Sequence, residues 1–106
     1  MIKTEELIKE EARKIVLLLL EKNKSYGDTA NNPPKIFSKL DAIEGLCARI
    51  DDKLSRIKNK GITDLTEDTV SDLIGYLILL KVQMRKNDEV IKEKLIAKKD
   101  AVKFGQ

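Results

Sequence analysis

The sequence contains no histidine and no tryptophan, one cysteine, two prolines, two tyrosines and two phenylalanines. Without histidine there is no Ser-His-Asp triad, no Cys-His nucleophile and no histidine-containing zinc site. A single cysteine, Cys47, forms no internal disulfide. It falls on an apolar face and reads as a buried thiol in a reducing, cytoplasmic compartment. Few aromatics and few prolines, beside abundant Leu, Ile, Lys and Glu, favour helices packed on helices over a β-sandwich. Long apolar runs are missing too. The longest, IVLLLL at residues 15–20, is far short of the roughly 20 residues of a membrane span. Glu5, Glu6, Glu10 and Glu11 precede it, which excludes a signal peptide as its reading. A large excess of one charge is absent as well. The net charge of +3 comes from 21 basic and 18 acidic residues mixed along the chain, so nucleic acid is not an expected partner.

What is present is 42% hydrophobic and 37% charged residues in a chain of 106. That balance describes one folded domain over residues 1–106, with a core that gains from a partner subunit. Leu7, Ala12, Ile15, Val16, Leu19 and Leu20 recur at helical spacing and predict a first helix from Thr4 to about Lys22. The stretch KNKSYGDTANNPPKIF then interrupts with Gly27 and Pro33-Pro34, as a long ordered loop or lid. A second helix is expected from about Phe37 or Ser38 to Lys60, ending at Gly61. A third is expected behind a Thr66 cap and runs to about Arg85, with Val70, Leu73, Ile74, Leu77, Leu80 and Met84 turned inward. Residues 87–103 predict a weaker, lysine-rich amphipathic helix through Val90, Ile91, Leu95, Ile96 and Val102, with a tail to residue 106. The fold class is therefore all-α: a bundle of three long helices plus a weaker C-terminal one, completed by oligomerisation.

The second helix sorts its charges. If Ile50 marks the core direction, then Ile43, Leu46, Leu54 and Ile57 fall within about 40° of it and Cys47 within about 60°. Arg49, Lys53, Arg56 and Lys60 form a basic flank, at about 60–120° from that stripe. Glu44 and Asp51 lie on the opposite flank, and Asp52 points outward. The third helix opens with Glu67, Asp68 and Asp72, and Tyr76 continues the line of Asp68 and Asp72. Carboxylates from two facing helices suit Mg²⁺ or Mn²⁺, which keep waters and take phosphate oxygens as further ligands. Lys53 and Arg56 on the basic flank would neutralise those phosphates. The competing reading is ordinary: acids prefer the first turn of a helix, and solvated faces carry charge.

The pieces EKNKSYGD, NPPKIFSK, RIDDKLSRIKN and EDTVSDLIGYLILL, in this order, resemble small phage and prophage proteins related to the MazG-like, all-α nucleoside triphosphate pyrophosphohydrolases. The likeness covers about residues 15–85. It implies a helical bundle that forms a homodimer or homotetramer, and hydrolysis of a (d)NTP to the monophosphate and pyrophosphate with Mg²⁺. The wider superfamily carries E-x-x-E on one helix and E-x-x-D on the next. Here Asp72 matches the last carboxylate, but Thr69 stands three before it, with Asp68 and Glu67 displaced. On the second helix Asp41 and Glu44 have the nearest spacing, although Asp41 equally suits a first turn behind Ser38.

The candidate site follows from both lines of reasoning. Asp41, Glu44, Asp51, Asp52, Glu67, Asp68 and Asp72 are the candidate metal ligands, and Asp51, Asp72, Lys53 and Arg56 the candidate catalytic group. Tyr26, Asp28, Asn32 and Arg49 are candidates for holding the nucleotide, with Tyr26 stacked on the base and Asn31 or Asn32 at its edge. A catalytically silent relative that binds a nucleotide or a protein, and a nucleic-acid-binding helical module, remain the alternatives.

Overall fold

The structure, a computed structural model, describes residues 1–36 and 38–104, with side-chain surroundings described through Lys99. Three helices form among the described residues: α1 at Thr4–Tyr26, α2 at Ala42–Lys60 and α3 at Thr69–Phe104. α1 runs one turn further than Lys22, because Asn23, Lys24 and Ser25 contain no breaker. Gly27 stops it in the left-handed conformation (φ 65°), with its N–H donating to the Asn23 carbonyl. The following loop is fastened rather than loose. Asn31 is buried and its amide donates to the Leu79 carbonyl and to Gln83 Oε1 of α3, at 3.3 and 3.1 Å.

α2 begins later than expected. Asp41 is its N-cap, and Asp41 Oδ1 accepts the Glu44 N–H at 2.8 Å. The Asp41/Glu44 spacing is thus that of a cap and its third residue. Phe37, the earlier of the two starts considered, lies outside the described residues. Asp41→Ala is expected to lower unfolding stability by about 1 kcal/mol and Asp41→Asn by much less, as read by urea denaturation. The C-terminal end at Gly61 falls where expected, its N–H donating to the Ile57 carbonyl at 2.8 Å.

α3 corrects the expectation of two helices separated near Arg85. It is one helix of 36 residues, about 54 Å long. The segment KNDEV has no glycine or proline to end it, and Gln83 Nε2 donates to Asn87 Oδ1 across the supposed boundary at 2.9 Å. Asp68, not Thr66, caps it: the Ser71 N–H donates to Asp68 Oδ1 at 3.1 Å.

α2 lies along α3, whereas α1 meets α3 over a short stretch around Gly75. A Cβ on Gly75 would stand 3.1 Å from Leu19 Cδ2, so glycine is what permits the approach. Leu46 and Thr69 are the most deeply buried side chains. The buried line of α2 runs through Ala42, Leu46, Ile50, Lys53 and Ile57, rotated toward its basic flank. Cys47 is therefore exposed rather than buried, and Leu54 is half-exposed. Val70, Ile74, Leu77 and Met84, expected inward, are also exposed, and Val102 lies outside the described side chains.

The exposed area is large for the mass. The chain of 12.0 kDa exposes 8938 Å², where a compact monomer of that size exposes about 6,000 Å². Its radius of gyration is 18.7 Å, against about 13 Å for a compact chain of this length. No helix among the described residues is long and apolar enough to cross a membrane.

Candidate functional site

The rotation of α2 follows from where its cations go. Lys53 reaches α3 and the loop before it, with Nζ 3.0 Å from Glu67 Oε1 and 3.1 Å from Asp72 Oδ2. Arg56 Nε lies 2.7 Å from Asp64 Oδ2 and 3.1 Å from Glu67 Oε1. Its Nη2 donates to the Thr66 hydroxyl, which in turn donates to Asp64 Oδ1, both at 2.6 Å. Lys22 of α1 completes the chain at 3.7 Å from Asp72 Oδ1. The partly buried pairs of Lys53 and Arg56 are screened less than surface ones and tie α2 to α3 and the loop before it, while the exposed Lys22 adds a longer contact from α1.

Protonation equilibria record the arrangement. Asp64 is held well below the ordinary carboxylate range, first by the Thr66 hydroxyl, then by the Thr66 N–H and Arg56. Asp68 is lowered by the Ser71 hydroxyl and then by the Ser71 N–H. Lys53 is raised, chiefly by its hydrogen bond to Glu67 and against the effect of burial. For the two depressed aspartates, the folded state binds protons less readily than the unfolded chain. Their stabilisation is complete above the ordinary value of 3.8 and is lost as pH falls through the lower folded values. For Lys53 the sign reverses: its contribution is complete below 10.5 and is lost as pH rises beyond that. Urea midpoints are therefore expected to be flat near neutrality, to fall below about pH 4, and to fall again above about pH 10.5.

Two clefts open beside this network. The first, of about 270 Å³, lies between α1 and α3 and is lined by Lys22, Asn23, Tyr26, Arg49, Asp72 and Tyr76 among others. The Arg49 guanidinium sits over the Tyr76 ring, 5.8 Å from its centroid. The second, of about 600 Å³, lies between the 27–41 loop and α2; Thr29, Ala30 and Arg49 belong to both.

The structure brings together Lys53, Arg56, Glu67 and Asp72, and places Arg49, Tyr26 and Asp72 around one cleft. It does not bring Asp51 to Asp72 within one chain. Two residues along a helix are about 160° apart in projection, and Lys53 is the one that faces Asp72, leaving Asp51 exposed on the other side. Glu44 is exposed, and Asp41 and Asp68 act as caps. Asp52 lines the second cleft. Asp28 takes a left-handed conformation (φ 64°), accepts from the Asn32 amide, and lies 3.8 Å from Lys86. Asn31 is committed to docking the loop. Lys22 and Asp64 did not stand out in the sequence. Asp64 was legible as an Asx-turn, since the Thr66 N–H donates to its Oδ1 at 2.8 Å; Lys22 had no local signal.

For a divalent metal, no group of three or more acidic or cysteine side chains gathers among the described residues. The chemistry on offer is a pair of carboxylates, Glu67 and Asp72, joined through one ammonium. No family model, curated protein or solved structure matches the chain.

Proposed function

We propose that the protein is a Mg²⁺-dependent nucleoside triphosphate pyrophosphohydrolase, working as a homodimer or homotetramer and releasing pyrophosphate and the monophosphate. The observation that carries this reading is the first cleft, where cations from two helices, Lys22 and Arg49, stand beside the carboxylate of Asp72. The resemblance of its motif order to that of the MazG-like proteins points to the same reading.

In this reading Lys22 and Arg49 hold the polyphosphate; the guanidinium fork of Arg49, already placed over Tyr76, orients it. Glu67 and Asp72 would hold Mg²⁺, which supplies charge neutralisation and an acidic bound water when present. Lys53 keeps the two carboxylates together and Arg56 fixes the loop that carries Glu67. Tyr26 stands exposed at the mouth of the cleft.

Thermal melting with Mn²⁺ and dNTPs tests the proposal. A rise in melting temperature that needs both metal and nucleotide is expected. Arg49→Met is expected to weaken dNTP binding by roughly tenfold, in line with the loss of one charge-assisted contact, with the melting temperature of the free protein little changed. A second reading, a silent nucleotide-binding relative, is favoured by one observation: both metal-facing carboxylates are already paired with Lys53. It requires a melting shift with nucleotide alone and no pyrophosphate release.

A further inference from the structure

Two glycines sit inside helices, and only one is explained by packing. Gly75 admits Leu19 of α1, but a Cβ on Gly45 would meet nothing within 4 Å. Glycine within a helix is less favourable than alanine, and at Gly45, in the first turn of α2, no contact among the described residues offsets that. It lies on the floor of the second cleft, with Ala48 beside it and Pro33, Pro34 and Leu40 in the walls. An open backbone surface of this kind admits a flat group at close range.

Two further observations define that group. The first cleft, at about 270 Å³, is smaller than the roughly 300–1,000 Å³ of pockets that enclose an organic ligand, so a whole nucleotide needs more space than it offers. The second cleft, at about 600 Å³, begins where the first ends, at Arg49. Arg49 forms no ion pair among the described residues, which leaves its guanidinium for a ligand crossing from one cleft to the other. In the second cleft two carboxylates, Asp41 and Asp52, stand about three turns apart along α2. Asp41 is committed to the Glu44 N–H, whereas Asp52 accepts no hydrogen bond from any described residue.

Resting on the nucleotide reading above, we propose that the base and sugar of the nucleotide occupy the second cleft, over Gly45 and Ala48, with the phosphates beyond Arg49 in the first. Asp52 then accepts from the base edge. An ionised carboxylate only accepts, so it favours a base edge with an exocyclic amine, as in guanine, adenine or cytosine; the one ring donor of thymine, N3–H, lies between two carbonyl oxygens that the carboxylate repels. The specificity lies with Asp52 and the space with Gly45. The base is placed away from Tyr26.

Calorimetric titration of the full chain with dGTP, dATP, dCTP, dTTP and inorganic tripolyphosphate tests this. The amine-bearing nucleotides are expected to bind at least fivefold more tightly than dTTP, and Asp52→Ala to remove that preference. Gly45→Leu, which fills the cleft floor, is expected to weaken every dNTP at least tenfold while tripolyphosphate binding is unchanged. Gly45→Ala, a helix-favouring change, controls for folding by circular dichroism. Equal affinity for dGTP and dTTP, full dNTP affinity in Gly45→Leu, or a changed molecular mass in Gly45→Leu without a change in affinity would each overturn the assignment. If neither dNTPs nor tripolyphosphate bind the unaltered protein, the nucleotide reading itself fails, which is a different result.

Discussion

Asp72→Asn is expected to reduce metal-dependent pyrophosphate release from dNTPs by roughly 100-fold or more, the scale on which a single group placed against developing charge acts. The side chain keeps its shape and loses its charge at the one carboxylate shared by the first cleft and the ion-pair network, 3.1 Å from Lys53 and 3.7 Å from Lys22. Circular dichroism should stay helical, because the backbone role at the start of α3 belongs to Asp68. Asp51→Asn makes the internal comparison. Asp51 is exposed on the side of α2 away from Lys53, so its replacement should leave release within about twofold of the starting protein, as surface changes usually do. Asp52→Asn should act on nucleotide preference more than on rate. Undiminished release by Asp72→Asn would end the metal-assisted hydrolysis reading.

The second large effect concerns assembly. Light scattering at micromolar concentration should return at least twice the chain mass of 12.0 kDa, and the melting temperature should climb with concentration. The excess of exposed area over a compact monomer is about 3,000 Å². That is about 6,000 Å² for two chains, against the roughly 2,000–5,000 Å² in total that obligate dimer interfaces bury, so a second copy covers a large part of it. Ile74 and Leu77, 42% and 45% exposed on α3, are apolar positions that a neighbour would cover. Replacing both with lysine should yield a species of one chain mass with a melting temperature lower by ten degrees or more, given about 4–8 °C per kcal/mol in a domain of this size. A monomer from the unaltered protein would refute the assembly.

Which parts of this were legible in the sequence depends on where the controlling interaction lies. The three helices were legible, because Leu7 to Leu20 and Val70 to Leu80 carry their period locally, and Gly61 ends α2 as glycine does. Their N-termini were harder. A carboxylate one turn ahead of a helical acid is both a cap pattern and a ligand pattern, and at Asp41 capping is what folded. Apolarity falls after Arg85, and on the sequence alone that divides α3 in two. Residues 86–90 nevertheless lack every chemical cause of a helix end, and that absence was the better signal. The phase of α2 was not accessible from α2 itself. Its apolar stripe and its basic flank compete for α3, and Lys53 and Arg56 win through acids at Asp64, Glu67 and Asp72 that are remote in sequence. For the same reason the whole basic flank reads as free for phosphate, whereas in the fold Lys53 and Arg56 are paired, and Arg49 of that flank lines the first cleft with Lys22 of α1.

The short crossing of α1 on α3 at Gly75 has a consequence for amide hydrogen exchange. Residues 4–14 are exposed throughout, as are residues 84–99 at the far part of α3. In dilute solution these two stretches hold their amides by helix formation alone, and an isolated segment of that length opens readily. They should exchange within seconds, while the amides near Leu19, Leu46 and Thr69 are retained far longer. At higher concentration, a copy packed against either arm would slow exchange there first. The amides that gain protection as the protein is concentrated thus report which arm the neighbour grips.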